Sequence, residues 1–180
     1  QENTSYSHKT RTDTILCENF DGDFPGNSWR IEGNPTWGKT DKSVTGDLTM
    51  NLAWLWCANG GSKGVEPGIG KYPPNCNSTA IYGPFDLSDA NYAKLSFKTV
   101  GNTESHKDWF TYSVSVNGAD FYGVGISGDL SGDPWVLHLN DVPEIGDVTG
   151  HNQVWLAFNF ISDDKNSYHY GVFLDDILLV

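Results

Sequence analysis

Residues 109–117 alternate without a break. Phe110, Tyr112, Val114 and Val116 form one row, and Thr111, Ser113, Ser115 and Asn117 the other. Side chains of an extended backbone point to opposite faces in turn, so a period of two marks a half-buried strand, whereas a helix would scatter these residues around its axis. Asn117-Gly118 follows, a hairpin-type turn that leads into an apolar stretch at 121–126. The rest of the chain repeats this grammar. Extended stretches are predicted at 14–20, 29–32, 37–39, 48–56, 79–82, 93–100, 135–139, 154–161 and 170–180, separated by Gly, Pro, Asn and Asp. Gly83-Pro84 is expected to stop the strand before it, and residues 86–91 have room for one helical turn at most. Apolar residues nowhere recur at helical spacing over three turns. About ten short strands without a substantial helix predict an all-β, antiparallel sandwich of jelly-roll type, with a barrel as the alternative.

With 180 residues the chain suits one domain. The expected organisation is a polar tail or edge extension at 1–13 and a jelly-roll domain at 14–180. Gln1 in place of an initiator Met reads as a mature, secreted chain after signal cleavage. A net charge of −12 repels phosphate backbones and anionic headgroups, which argues against nucleic acid and membrane insertion as partners and favours cations. No apolar run reaches the ~20 residues that span a bilayer.

Three cysteines allow three single pairings. Cys57–Cys76, closing a Gly/Pro-rich stretch, is the preferred disulfide, and Cys17 is expected to be a buried thiol. The sequons at Asn3 and Asn77 are candidate glycosylation sites, expected in the tail and in a loop.

Catalytic motifs fail on their chemistry. Gly123-Val124-Gly125-Ile126-Ser127-Gly128 has dinucleotide-loop spacing, but turn residues with two aspartates follow where a helix N-terminus should hold pyrophosphate. There is no HExxH and no GxSxG, although a Ser–His–Asp set could still assemble in space. Paired carboxylates could hydrolyse a glycosidic bond, but as turn residues they need no such role. Asp175 and Asp176 are different, because they interrupt an apolar strand. One of the two must point inward, where a lone carboxylate is costly. A structural Ca2+ is the expected remedy, with Glu18, Asp21, Asp23, Asp175 and Asp176 as candidate ligands.

Several blocks resemble MAM-like jelly-roll domains. They are Glu18-Asn19-Phe20-Asp21 with Pro25 and Trp29, Ile81-Tyr82-Gly83-Pro84-Phe85-Asp86-Leu87-Ser88, Ser113-Val114-Ser115-Val116-Asn117-Gly118, Val154-Trp155-Leu156-Ala157-Phe158, and Gly171-Val172-Phe173-Leu174-Asp175-Asp176-Ile177. β-Sandwich modules attached to secreted bacterial proteins, including immune-inhibitor-A-type peptidases, and calcium-binding carbohydrate modules are similar. The resemblance implies that the first and last strands are neighbours and places Glu18 and Asp175 or Asp176 near one calcium. A fold family with varied roles does not fix function. The leading expectation is a non-catalytic, adhesive surface protein that assembles with copies of itself into a filament, its N-terminal segment adding to a neighbour's sheet. The alternative is a module that binds surface polysaccharide, or an accessory module of a secreted hydrolase system, with Trp54, Trp56, Tyr168 and Tyr170 as stacking platforms.

Overall fold

The computed structural model describes residues 13–42, 53–67, 71–132, 134–167 and 169–180. Eleven strands form two antiparallel sheets, and the described residues contain no helix. They are β1 (Leu16–Glu18), β2 (Trp29–Glu32), β3 (Thr36–Thr40), β4 (Trp54–Gly60), β5 (Asn77–Phe85), β6 (Lys94–Asn102), β7 (Trp109–Ser115), β8 (Tyr122–Ile126), β9 (Trp135–His138), β10 (Val154–Ile161) and β11 (Gly171–Leu179). One sheet runs β3-β4-β11-β6-β9, with β1 also paired to β11, and the other runs β2-β5-β10-β7-β8. The first and last strands are therefore neighbours, as the resemblance implied, with Leu16 opposite Leu179 and Glu18 opposite Ile177.

The rows seen in the sequence become the two faces of each sheet. Phe110, Tyr112 and Val114 of β7 and Leu156, Phe158 and Phe160 of β10 are buried and meet Leu95 and Phe97 of β6 across the sandwich. Phe97 packs edge-on to Tyr112 (5.0 Å) and Phe158 (5.1 Å), a favoured arrangement for aromatic quadrupoles. Trp37 of β3 donates its indole N–H to the Ser78 carbonyl of β5 at 2.9 Å, which ties the sheets together.

Three expectations need correction. Val116 was placed in the buried row but is 36% exposed. β7 ends at Ser115, whose Oγ accepts the N–H groups of Asn117 (3.2 Å) and Gly118 (2.9 Å) and starts the turn one residue early. Gly83-Pro84 does not stop β5. Val154 pairs with Phe85 and Leu156 with Tyr82, so Gly83 and Pro84 sit opposite Trp155 in a bulge, where proline's missing N–H is not needed. β4 continues from Cys57 to Gly60, which had been read as loop, because Gly60 pairs with Thr36 of β3; residues 48–52 of that expected strand lie outside the described residues.

Gly101 shows how close the backbones come. Its φ is +122°, and a Cβ there would lie 2.0 Å from the Gly171 carbonyl oxygen. Gly101→Ala is expected to lower stability by at least ~2 kcal/mol in chemical denaturation, since strain and clash add. A loss under ~0.5 kcal/mol would show that the two strands separate at little cost.

Candidate functional site

The outer face of the five-stranded sheet is built from the polar row of each strand. Register places Arg30, Ile81, Ala157, Ser113 and Gly123 side by side across all five strands. The next row is Glu32, Thr79, Asn159, Thr111 and Gly125. These residues line a groove of about 590 Å³, with Phe121, Tyr122 and Glu144 also at its walls. Four strand spacings make it ~19 Å from edge to edge. Small side chains in the middle of both rows keep it open.

Large side chains flank these rows along the strands. Trp155 faces Ser115 on one side and packs near Gly118, where a Cβ would sit 3.2 Å from the indole. On the other side Asn77, Ile161 and Trp109 form a third row, with Ile161 45% and Trp109 41% exposed. An exposed indole beside an exposed isoleucine offers a flat apolar surface to a ligand. Within the groove, Asn159 Nδ2 donates to Thr79 Oγ1 (2.7 Å) and Asn77 Oδ1 (3.1 Å), which fixes the amide. Arg30 and Glu32 pair at 2.8 Å on the edge strand. The central residues Thr79, Ile81, Thr111, Ser113, Ala157 and Asn159 carry no carboxylate. The carboxylates among the lining residues are Glu32, paired with Arg30 on the edge strand, and Glu144. The floor offers hydroxyl and amide groups for hydrogen bonding.

The aromatic platforms expected from the sequence lie elsewhere. Trp54 and Trp56 are buried, and Trp56 packs on Phe173 and donates its indole N–H to the Tyr170 carbonyl at 2.9 Å. β4 is buried on both faces: Trp54 and Trp56 lie on the side of Phe173, and Leu55 and Cys57 on the other. Tyr170 is half-buried under Lys71, whose Nζ lies 3.6 Å from the ring centroid. Tyr168 lies outside the described residues, as does Asn3. Asn77 is exposed but opens β5 instead of lying in a loop. Trp109, the exposed indole, was read as the first residue of a strand; its position at the edge of an outer face depends on strand order.

The expected Cys57–Cys76 bridge is not formed. Both are free, buried thiols with partners of their own: Cys57 Sγ accepts the Val172 N–H at 3.4 Å, and Cys76 donates to the Pro73 carbonyl at 3.1 Å. Burial pushes the Cys76 thiol up to about 11 and raises that of Cys57 as well. Cys17, expected to be buried, is exposed, because it stands opposite Leu178 on the side of β11 away from the core residue Leu179. The 123–128 glycines lie in and just after β8, with no helix following.

The carboxylates proposed for calcium part company. One aspartate of the pair is buried, as expected: Asp175 is buried and Asp176 exposed, but a bulge between Asp175 and Leu178 leaves Asp175 on the face away from the core. However, Asp175 stands opposite Lys98, an exposed residue of β6, whereas Glu18 stands opposite Ile177, which is in the core. Directly paired residues share a face, so the two carboxylates leave the sheet on opposite sides. Glu18 accepts the Phe20 N–H at 2.8 Å and faces the Trp29 indole N–H at 3.4 Å. Asp21 and Asp23 are exposed. Among the described residues no three acidic, His or Cys side chains are placed to hold a metal ion.

Burial raises the Asp175 carboxyl to about 6; the charges of Asp176 and Asp21 add to this, against the Asp176 N–H and Lys98. A raised carboxyl favours the protonated fold. That stability is complete below the unfolded value near 4 and is lost as pH rises through about 6. The loss is expected to be roughly 1–2 kcal/mol, less than the full shift implies because Lys98 and Asp176 border solvent. Asp175→Asn in chelator should flatten this slope in a melting series from pH 4.5 to 8. If the slope persists in the variant, another group causes it. Adding millimolar Ca2+ at pH 8 tests the cation separately: a rise in Tm that Asp175→Asn abolishes would put an ion at this carboxylate.

One cluster resembles a Ser–His–Asp set in space. Tyr72 donates to Asp108 Oδ2 at 2.5 Å, Ser167 Oγ donates to Tyr72 Oη at 2.7 Å, and Ser167 Oγ lies 3.0 Å from His169 Nδ1. The direction is wrong for nucleophilic attack. A triad serine gives its proton to histidine, whereas Ser167 gives its proton to Tyr72 and is itself buried. Desolvation raises the Tyr72 hydroxyl well above its ordinary value, with the hydrogen bond to Asp108 adding to it, so Tyr72 stays protonated.

No protein-family model matches this chain, and no curated protein matches it. Solved structures do. The K1 cleaved adhesin domain of Lys-gingipain from Porphyromonas gingivalis W83 superposes with a TM-score of 0.55 at 17% identity, over 94% of this chain and 98% of that one. TmCBM61, solved in complex with beta-1,4-galactotriose, gives 0.51 at 9% identity, over 86% and 88%. Neither repeats the sequence resemblance to MAM domains or to modules of immune-inhibitor-A-type peptidases. At such identities the likeness establishes the fold: this chain is a jelly-roll β-sandwich, shared with an adhesin domain and a carbohydrate-binding module.

Proposed function

We propose that this chain is a non-catalytic, extracellular module that binds a polysaccharide along the outer face of its five-stranded sheet. The observation that carries the reading is the open groove of Thr79, Thr111, Ser113 and Asn159, bordered by the exposed row of Trp109 and Ile161. Hydroxyl and amide groups match sugar hydroxyls, and an exposed indole matches the apolar face of a pyranose ring. The −12 charge favours a neutral glycan over a sulfated or uronic one. Likeness to a module solved with a galactose oligomer supports the same reading. Self-assembly through residues 1–13 has no comparable support, since only Asp13 of that segment is among the described residues.

The test is affinity electrophoresis through gels containing neutral polysaccharides. Wild type is expected to be retarded by at least one, and Trp109→Ala to bind ~10-fold more weakly, the loss of ~1.4 kcal/mol of stacking and burial. Equal retardation of the two proteins would remove Trp109 from the site. No retardation by any neutral polysaccharide would sink the reading.

A further inference from the structure

A second depression, of about 500 Å³, is lined by Asn102, Thr103, Ser105, Asp129, His169 and Tyr170, among others. Its walls are fixed. The Tyr170 N–H is held by Asn102 Oδ1 at 2.8 Å and the Tyr170 carbonyl by the Trp56 indole at 2.9 Å. Thr103 Oγ1 accepts the Gly128 N–H at 2.8 Å and donates to the Asp108 carbonyl at 3.1 Å.

The proton chain behind this depression determines the state of His169. Asp108 is buried, and its carboxylate accepts from Tyr72 and from the Asp163 N–H at 2.8 Å. The single Tyr72 proton goes to Asp108, so Tyr72 can only accept from Ser167, and the Ser167 proton is thereby used. The 3.0 Å contact between Ser167 Oγ and His169 Nδ1 then requires the proton to sit on Nδ1. Neutral His169 is consequently locked with Nε2 as an acceptor, as a carboxylate behind a functional histidine locks its tautomer. Because Asn102 Oδ1 is spent on the Tyr170 N–H, its NH2 group is the free end of that amide.

We propose that this depression is a second binding site, for a single neutral saccharide unit, in which His169 Nε2 accepts a sugar hydroxyl while the Asn102 amide and Ser105 hydroxyl bond its neighbours. The site stands on its own geometry, but the choice of a saccharide rests on the groove reading. A fixed acceptor beside the oriented Asn102 amide and the Ser105 hydroxyl suits adjacent hydroxyls on a ring, and pre-organisation lowers the ordering cost of binding.

The experiment uses the full chain with 15N-labelled histidine and long-range 1H–15N spectra, titrated with galactose, glucose and beta-1,4-galactotriose, while the Trp109 indole N–H is followed in parallel. The free protein should show His169 as the Nδ1–H tautomer, and at least one sugar should shift Nε2. Ser167→Ala should mix the tautomers and weaken the His169 response ~3-fold or more without changing the Trp109 response. Asn102→Asp keeps the acceptor for Tyr170, removes the donor, and should weaken binding without touching the buried chain. An Nε2–H tautomer in wild type overturns the proposal. A sugar that moves Trp109 but never His169 also overturns it and leaves the groove reading intact. If no sugar moves His169, the second-site proposal fails, whereas the groove reading stands or falls on retardation by neutral polysaccharides.

Discussion

Phe158→Ala should destabilise this protein by ~3–5 kcal/mol and lower its melting temperature by roughly 10 °C. Phe158 is fully buried in β10, the central strand of its sheet. Its ring lies 5.1 Å from Phe97 of the opposite sheet, 6.2 Å from Phe110 and 6.3 Å from Trp29. Truncation leaves a cavity touching both sheets, and aromatic neighbours on three sides cannot all move in to fill it. Phe158→Leu keeps most of the volume and should cost less than half as much. Urea or thermal denaturation measures both. A Phe158→Ala loss below ~1 kcal/mol would mean that the sandwich does not close over this residue as described.

Thr111→Trp should abolish polysaccharide binding while changing melting by no more than a few degrees. Thr111 lies in the middle of the groove, between Asn159 and Gly125. A Cβ on Gly125 would lie 3.4 Å from both the Thr111 methyl and the Trp109 ring, so the bare glycine leaves a shallow space bordered by Thr111 and Trp109. An indole at 111 would fill that space and cover the row. Affinity should fall at least ~100-fold, or ~2.7 kcal/mol. The fold should tolerate the change because the side chain points away from the core, and aromatic residues suit strands. Unchanged affinity in a folded variant would place the ligand elsewhere.

The two predictions draw on different levels of information. The core row of β7 was legible because alternation is local: Phe110, Tyr112 and Val114 declare their face within six residues. The polar row of Thr111 and Ser113 was equally legible as an outer face. That it joins Thr79 and Asn159 in one groove was not, since the order β2-β5-β10-β7-β8 brings together strands distant in sequence. The tryptophans failed for a related reason. β4 is apolar on both faces, so alternation could not say that Trp54 and Trp56 are enclosed. Trp109 carries no local mark of exposure. That one of Asp175 and Asp176 is buried was readable, but not which, nor that the buried one, Asp175, lies on the outer face beside Lys98, because a bulge between Asp175 and Leu178 interrupts the alternation. Nor was it readable that Glu18 and Asp175 leave opposite faces of the sheet, since that depends on β1 pairing Glu18 with Ile177 and β6 pairing Lys98 with Asp175.

The groove reading is tested most directly by titrating 15N-labelled protein with a soluble neutral polysaccharide that retards it in gels, and mapping which amides shift. Shifts concentrated at Thr79, Thr111, Ser113 and Asn159, together with the Trp109 indole, are expected. Shifts confined to the six-stranded sheet, or a failure of every neutral polysaccharide to move these residues, would contradict the account.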